Sequence, residues 1–256
     1  MRYFILTDLE GVAGNHSFAQ TRTKDLAAKE PGMRQLAKEV NACIEGIRSV
    51  DADADIDVWD GHGSGGIFPG DIVGANLLPH TVKQFKKIPE YQALLFVGQH
   101  AMAGTPYAPL RHTYSSLTVA YYKLNGNYIG EFGGRAVTAA HFGVPTIFIA
   151  GDDKAAHEAQ ILIPEIETAV VKWGKGEEDA VSLSSEVACD VIREGAARAV
   201  RRMDQIPLLQ GFEPPFRLEI RYYEPMDRER RQKPGVTIID DRTLVIETDD
   251  LLSLPL

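Results

Sequence analysis

The chain has 256 residues, of which 44% are hydrophobic and 25% charged, and this composition is typical of a globular protein with a sizeable core. A formal net charge of -9 at pH 7 repels nucleic acid and anionic membranes, so we expect neither as a partner. The first residues are too acidic for a signal peptide and no apolar run is long enough to span a membrane, so we expect a cytoplasmic protein.

The first half of the chain reads as alternating strands and helices. Apolar residues at helical spacing over 33–47 predict a crossover helix that opens at the Pro31-Gly32 break. Alternation over 117–129 around Asn125-Gly126 predicts a β-hairpin, and a helix follows over 133–142. Four apolar runs, each ending in polar or glycine-rich residues, predict strands of a largely parallel sheet at 3–7, 56–59, 94–97 and 146–150.

The second half adds helices and then changes to alternating strands. The predicted helices lie at 154–163 and 185–203, and the predicted strands at 168–171, 216–222 and 243–247. We therefore predict an α/β protein. A three-layer αβα domain with a largely parallel sheet and an inserted β-hairpin arm occupies residues 1–208, and a small C-terminal α+β part occupies residues 209–256.

Residues that can bind a metal follow three of the predicted strands. Asp8 and Glu10 follow the first strand, His62 follows the second, and His100 follows the third. Ligands collect outside the carboxyl ends of parallel strands, so these side chains should face one edge of the sheet. Asp8 and Glu10 are separated by two positions, so in an extended chain both point to the same side and can share a cation.

Carboxylates combined with imidazoles are the ligand set expected for zinc, with manganese, iron or cobalt as substitutes. The two cysteines, Cys43 and Cys189, lie far apart in predicted helices and indicate small core residues. Oxygen and nitrogen must therefore hold any metal.

Six short motifs occur in a recognisable order and spacing. They are Thr7-Asp8-Leu9-Glu10-Gly11-Val12-Ala13-Gly14, Asp60-Gly61-His62, Gly98-Gln99-His100-Ala101, Arg111-His112, Gly130-Glu131 and Ala150-Gly151-Asp152-Asp153. In these motifs the chain resembles the DppA-type D-aminopeptidases, peptidase family M55, over roughly the first two hundred residues.

The resemblance implies a site for two zinc ions per subunit. The five implied ligands are Asp8, Glu10, His62, His100 and Glu131. Asp8 would bridge the two ions, Glu10 and His100 would complete one of them, and His62 and Glu131 the other. The charge balance is consistent with this site. Two zinc ions carry four positive charges, and the three carboxylates offset three of them. This balance favours a dinuclear site with an activated water. The resemblance also implies a homo-oligomeric ring, a decamer, whose active sites face an internal space.

The resemblance places a catalytic histidine, either a nucleophile or a general acid/base, at His112. We predict a zinc-dependent aminopeptidase that removes the N-terminal residue of short peptides of D- or L-amino acids.

A metal-dependent amidase, esterase or phosphoesterase is the alternative enzyme, because two-metal sites also serve phosphoryl transfer. The sequence shows no basic cluster around the ligands, which argues against phosphate. A non-catalytic metal- or peptide-binding protein is a third hypothesis, against which the combination of ligands and His112 argues.

Several of these residues also have a purely structural explanation. His100 could be a core histidine, Glu131 could stabilise the first turn of a helix, and His112 could be a surface residue. Arg111 could bind a substrate carboxylate or form an exposed ion pair. Asp152 is expected to cap the following helix.

Overall fold

A computed structural model describes residues 1–81 and 85–256. The twelve strands are β1 (Arg2–Thr7), β2 (Asp55–Asp60), β3 (Asn76–Leu78), β4 (Ala93–Gln99), β5 (Val119–Leu124), β6 (Asn127–Ile129), β7 (Thr146–Asp152), β8 (Glu167–Gly176), β9 (Asp179–Ser182), β10 (Phe216–Tyr222), β11 (Val236–Ile238) and β12 (Thr243–Thr248). The α-helices are α1 (Phe18–Thr21), α2 (Leu26–Arg48), α3 (Glu131–His141), α4 (Asp153–Leu162), α5 (Ser185–Arg201) and α6 (Arg228–Arg231). Three short 3₁₀ helices lie at Phe85–Glu90, Met203–Gln205 and Leu251–Ser253.

Seven strands form the main sheet, in the order β3-β2-β1-β4-β7-β8-β9. All neighbours are parallel except the edge strand β9, which is antiparallel to β8. Helices α2 and α5 pack together on one face of the sheet, and α3 and α4 pack on the other. The chain progresses in both directions across the sheet from β1, and right-handed crossovers in opposite directions place their helices on opposite faces. Every residue of β4 and β7 is buried, because both faces of the sheet are covered. The three-layer αβα prediction is confirmed.

The start of α2 differs from the sequence prediction. The helix begins at Leu26 and runs through Pro31, so the expected break at Pro31-Gly32 is wrong. The Asp25 carboxylate accepts a hydrogen bond from the Ala27 N–H at 3.0 Å and caps the helix about two turns earlier than predicted. The buried face that follows stabilises the helix enough to tolerate the missing N–H of Pro31, which lies on the exposed side.

The predicted hairpin does not stand alone. Asn125 (φ 47°) and Gly126 (φ 87°) form the turn between β5 and β6, with the left-handed pair typical of a type I′ turn. Strand β5 also pairs antiparallel with β10, and a second sheet results with the order β11-β12-β10-β5-β6. The hairpin arm and the C-terminal strands therefore share one sheet, which the sequence did not predict. The domain boundary between residues 208 and 209 stays a prediction.

The direction of chain progression reverses between β1 and β4, which opens a crevice at their carboxyl ends. The loop after β1 lies directly against the end of β4, where the Asp8 N–H donates to the Val97 carbonyl at 3.0 Å. Gly98 has φ +79°, and a side chain there would lie 2.0 Å from the Asp8 carbonyl oxygen. This glycine therefore permits the loops after β1 and β4 to touch. Within the described residues, no helix has the length and apolarity needed to cross a membrane.

Candidate metal centre and active-site cleft

The crevice between β1 and β4 collects all five residues that the sequence predicts as metal ligands. Asp8 and Glu10 lie in the loop after β1, His62 follows β2, and His100 follows β4; all four side chains are buried. Glu131 is the first residue of α3 and approaches from the other side of the crevice. Three strand ends and one helix start thus bring their polar side chains to one point.

The donor atoms fall into two groups that share Asp8. His62 Nδ1 lies 3.1 Å from Asp8 Oδ1 and 3.2 Å from Glu10 Oε2. His100 Nε2 lies 3.2 Å from Asp8 Oδ2 and 3.6 Å from Glu131 Oε1. The two carboxylate oxygens of Asp8 therefore face different groups, as a bridging ligand requires.

The shortest contacts pair His62 with Glu10 and His100 with Glu131, whereas the family resemblance implied Glu10 with His100 and His62 with Glu131. A third described group, Glu10-His100-His112, also brings Glu10 and His100 within 4.8 Å of each other, so the implied assignment of the ligands to the two ions stays a prediction.

Backbone carbonyls hold each histidine in the tautomer that a metal ligand needs. His62 Nε2 lies 3.0 Å from the Thr21 carbonyl, and His100 Nδ1 lies 2.9 Å from the Ala101 carbonyl. A carbonyl can only accept, so these ring nitrogens carry the hydrogens. The other nitrogen of each ring, which faces the carboxylates, keeps its lone pair when the ring is neutral.

The electrostatics of the site favour a positive charge between the carboxylates. Burial opposes the charged form of His62, but the carboxylates of Glu10 and Asp8 outweigh it and raise the pKa of His62 to about 10. Burial likewise opposes ionisation of Glu131, yet His100 and His112 lower its pKa to about 2. The carboxylates therefore stay ionised and attract either protons on the imidazoles or metal cations.

The residues fit a metal ion. Glu10 Oε2 and His100 Nε2 are buried without a hydrogen-bond partner among the described residues, although an orphaned buried polar atom is costly. Glu10 Oε2 faces His62 Nδ1, and His100 Nε2 faces Asp8 Oδ2, so both atoms point into the cluster. Three described groups, each of three side chains, have ligand atoms within 4.8 Å of one another: Asp8-Glu10-His62, Asp8-His100-Glu131 and Glu10-His100-His112. Oxygen and imidazole nitrogen are the donors that zinc accepts.

His112 lies beside this cluster and faces the cleft. Its ring stacks on His100 with centroids 3.9 Å apart, and its Nε2 lies 3.6 Å from Glu131 Oε1. Its Nδ1 lies 3.0 Å from the Leu110 carbonyl and therefore carries a hydrogen, which leaves Nε2 as the acceptor. This geometry suits a proton acceptor next to the metal site.

A cleft of about 310 Å³ opens over the cluster, with residues that the sequence analysis missed. The additional polar side chains that line it are Arg22, Ser64, Tyr114, Ser116 and Arg135. Arg135 follows Glu131 by four positions in α3, so helical spacing could have identified it. The sequence argument that no basic cluster accompanies the ligands is wrong, because the fold brings Arg22 and Arg135 to the cleft from distant segments.

Two residues that the motifs included have structural roles. Asp152 accepts hydrogen bonds from the N–H groups of Lys154 and Ala155, which confirms that it caps α4. Arg111 lies 3.7 Å from the exposed Glu177 and does not line the cleft, so the ion-pair interpretation holds.

A buried lysine donates hydrogen bonds to the loop after β1, which carries Asp8 and Glu10. Lys172, on β8, has no exposed surface, and its Nζ donates to the carbonyls of Glu10 and Asn15. Burial lowers the pKa of Lys172 to about 8, against the opposing charges of Asp152 and Glu39. No local sequence pattern predicts this contact, because the partners lie more than 150 residues apart.

Comparisons with known proteins agree with the geometry. A family described as Peptidase_M55, D-aminopeptidase, matches residues 1–254. The D-aminopeptidase of Bacillus subtilis strain 168 is 29% identical over 233 residues, which are 87% of this chain and 82% of that protein. A solved structure described as the Zn-dependent D-aminopeptidase DppA from Bacillus subtilis, a self-compartmentalizing protease, is similar with a TM-score of 0.88 and 26% identity. That similarity covers 98% of this chain and 93% of the DppA chain.

Proposed function

The chain belongs to the M55 family of D-aminopeptidases, and we propose that it is a zinc-dependent aminopeptidase that removes the N-terminal residue of short peptides. The observation that carries the proposal is the convergence of five ligand side chains and His112 on one cleft. The similarity to a Zn-dependent D-aminopeptidase supports both the metal and the inclusion of D-amino acids among the substrates.

Two zinc ions per subunit are proposed, held by the two groups that share Asp8. Asp8, Glu10 and His62 would hold one ion, and Asp8, His100 and Glu131 the other. Zinc in such a site supplies a Lewis acid that polarises the scissile carbonyl and lowers the pKa of water.

His112 would move the proton in this reaction. Its side chain lines the cleft, and its Nε2, 3.6 Å from Glu131 Oε1, keeps a lone pair because the hydrogen on Nδ1 is committed to the Leu110 carbonyl. A base in this position can take a proton from the attacking water and return it to the leaving amine. The stacking on His100 fixes the ring plane, so the ring does not have to be oriented when substrate binds.

We also propose that the chain forms a homo-oligomer, with a decamer as the specific expectation. The similar DppA structure is described as self-compartmentalizing. Large apolar side chains such as Tyr107 and Leu117 are mostly exposed, at 70% and 68%, which fits an interface between subunits. Light scattering on the purified protein tests this, and a mass of one chain would contradict it.

The proposed function is tested by metal analysis combined with hydrolysis assays. The purified protein should contain two zinc ions per chain and should cleave D-alanyl-D-alanine, L-alanyl-L-alanine or both. A matched Glu10→Gln variant should contain less zinc and show less turnover, because it removes a ligand charge but hardly changes the size of the side chain. Fewer than two metals with no cleavage of either peptide would contradict the proposal.

One observation keeps the phosphoesterase alternative open. The cleft contains Arg22 and Arg135, and arginines are common partners of phosphate. Hydrolysis of p-nitrophenyl phosphate by the zinc-loaded protein at a rate above that of the alanyl peptides would favour this alternative over the peptidase.

A further inference from the structure

We propose that Arg22, with Arg135 on the same cleft, binds the free C-terminal carboxylate of the substrate and thereby selects very short peptides. This inference rests on the proposed peptidase function and specifies its substrate class. Within the described part of the chain, the acidic and basic residues that line the cleft are four of the five proposed ligands, all except His100, together with His112 and these two arginines.

Arg22 is joined directly to the metal site through the backbone. It follows Thr21, whose carbonyl accepts a hydrogen bond from the proposed ligand His62 at 3.0 Å. The Arg22 guanidinium therefore starts from a backbone position that is fixed relative to the metal-binding cluster. Its side chain lines the same cleft as His62 and His112.

The Arg22 guanidinium is oriented before a substrate arrives. Its Nη1 donates to Ser116 Oγ at 3.1 Å, and its carbon lies 4.3 Å from the centre of the Phe18 ring. The same Phe18 ring meets His112 edge-on at 6.3 Å. No carboxylate among the described residues forms a salt bridge with Arg22, in contrast to Arg111 with Glu177. A preorganised guanidinium without an acidic partner is suited to bind a ligand carboxylate.

Arg135 provides a second positive charge on the wall of the cleft. Its guanidinium lies 5.3 Å from the Tyr114 ring and 5.7 Å from the Trp59 ring, and its Nη1 donates to the Leu256 carbonyl. Two fixed cations in one cleft raise the local concentration of anions. A peptide substrate carries one obligatory anion, which is its terminal carboxylate.

The size of the cleft limits the length of the peptide. Each residue extends a chain by at most about 3.6 Å, so a carboxylate one or two residues beyond the scissile bond stays within about 4–7 Å of it. Longer peptides move the carboxylate away from a cleft of about 310 Å³. Dipeptides and tripeptides should therefore be preferred over longer substrates.

The test compares alanyl-alanine with its C-terminal amide, in whichever configuration the enzyme cleaves. The wild-type protein should prefer the free acid by about 10- to 100-fold in kcat/KM, mainly through a lower KM. Arg22→Met should reduce this preference to within about threefold, and Arg22→Lys should retain part of it because lysine keeps the charge but not the planar fork. Arg111→Met is the matched control and should keep the full preference.

Equal cleavage of acid and amide by the wild-type protein would overturn the inference, as would an unchanged preference in Arg22→Met or a loss of preference in Arg111→Met. Calorimetric binding of the same two ligands separates this inference from the proposed function. Tighter binding of the acid that depends on Arg22, without any hydrolysis, would support the carboxylate site and contradict the peptidase. Hydrolysis without any preference for the acid would support the peptidase and contradict the carboxylate site.

Discussion

His112 and His100 are stacked neighbours, yet their surroundings assign them different tasks. His100 is completely enclosed and faces two carboxylates, whereas His112 lies at the wall of the cleft. Residue type alone does not separate the two, and only the resemblance assigned His100 as a ligand and His112 as the catalytic residue. In both rings Nδ1 faces a backbone carbonyl and Nε2 lies 3.6 Å from Glu131 Oε1. The difference is that His100 is enclosed and also contacts Asp8, whereas His112 lines the cleft.

Alanine at His112 should abolish turnover without removing the metal. We expect kcat to fall by about 10²- to 10⁴-fold, which is the usual contribution of a general acid or base, while the zinc content of the protein stays unchanged. His157→Ala, on the exposed side of α4, is the control. Loss of zinc in His112→Ala would show instead that His112 is a ligand, as its proximity to Glu10 and His100 would allow.

Methionine at Lys172 should weaken both the fold and the metal site. The substitution keeps the length of the side chain but leaves the carbonyls of Glu10 and Asn15 without their donor. We expect the free energy of unfolding to fall by about 2–4 kcal/mol, measured by urea denaturation, and the zinc affinity to fall with it. Lys175→Met, an exposed residue of the same strand, should change neither. An unchanged zinc affinity would limit Lys172 to a structural role.

Helix α2 contributes to the site through a buried acid. Glu39 Oε1 accepts hydrogen bonds from the Ala13 N–H at 3.0 Å and from Gln35 Nε2 at 3.1 Å, so it ties the helix to the loop after β1. Burial raises the pKa of Glu39 from its ordinary value of 4.5 to about 7. Because the folded state holds the proton more tightly, this group stabilises the fold fully below pH 4.5 and loses that contribution as the pH rises through 7.

Glutamine at Glu39 should remove this pH dependence. The amide cannot ionise, so the stability of Glu39→Gln relative to wild type should increase from about pH 4.5 to about pH 7, by up to about 3 kcal/mol. Urea unfolding of both proteins in excess zinc, at several pH values, measures the difference. Glu45→Gln, at an exposed position of the same helix, is the control for the substitution itself. A flat difference for Glu39→Gln would show that the buried acid ionises normally.

The elements themselves were predicted with unequal success. The hairpin turn at Asn125-Gly126 and the strands of the parallel sheet follow from local patterns, and the structure confirms them. The start of α2 was placed too late because Pro31 is a strong local signal for a break. The side-chain cap at Asp25 and the packing of the following helical face outweigh that signal.

For the molecule as a whole, the proposed metal site joins segments that are distant in the chain. Its proposed ligands come from the loops after β1, β2 and β4 and from the start of α3, so bound metal should hold these segments together. Three buried carboxylates in one place repel each other unless a cation lies between them.

Removal of zinc should therefore destabilise the complete fold. We expect a chelator to lower the Tm by about 5–15 °C, because a ligand at a thousand times its Kd contributes about 4 kcal/mol. Differential scanning calorimetry with and without the chelator measures the shift. His62→Ala, which lacks one proposed ligand, should start from a lower Tm and show a smaller shift. Equal shifts in the two proteins would contradict the assignment of His62.

Strand and helix periodicity and residue type are local properties of the chain, so they were enough to predict the α/β class and the candidate ligands that follow the strands. Only the folded chain shows which candidate ligands lie together, how the hairpin joins the C-terminal strands, and that Arg22, Arg135 and Lys172 reach the site. These features depend on contacts between segments far apart in the chain. Such contacts are set by strand order and helix packing, which leave no periodic signal in the sequence.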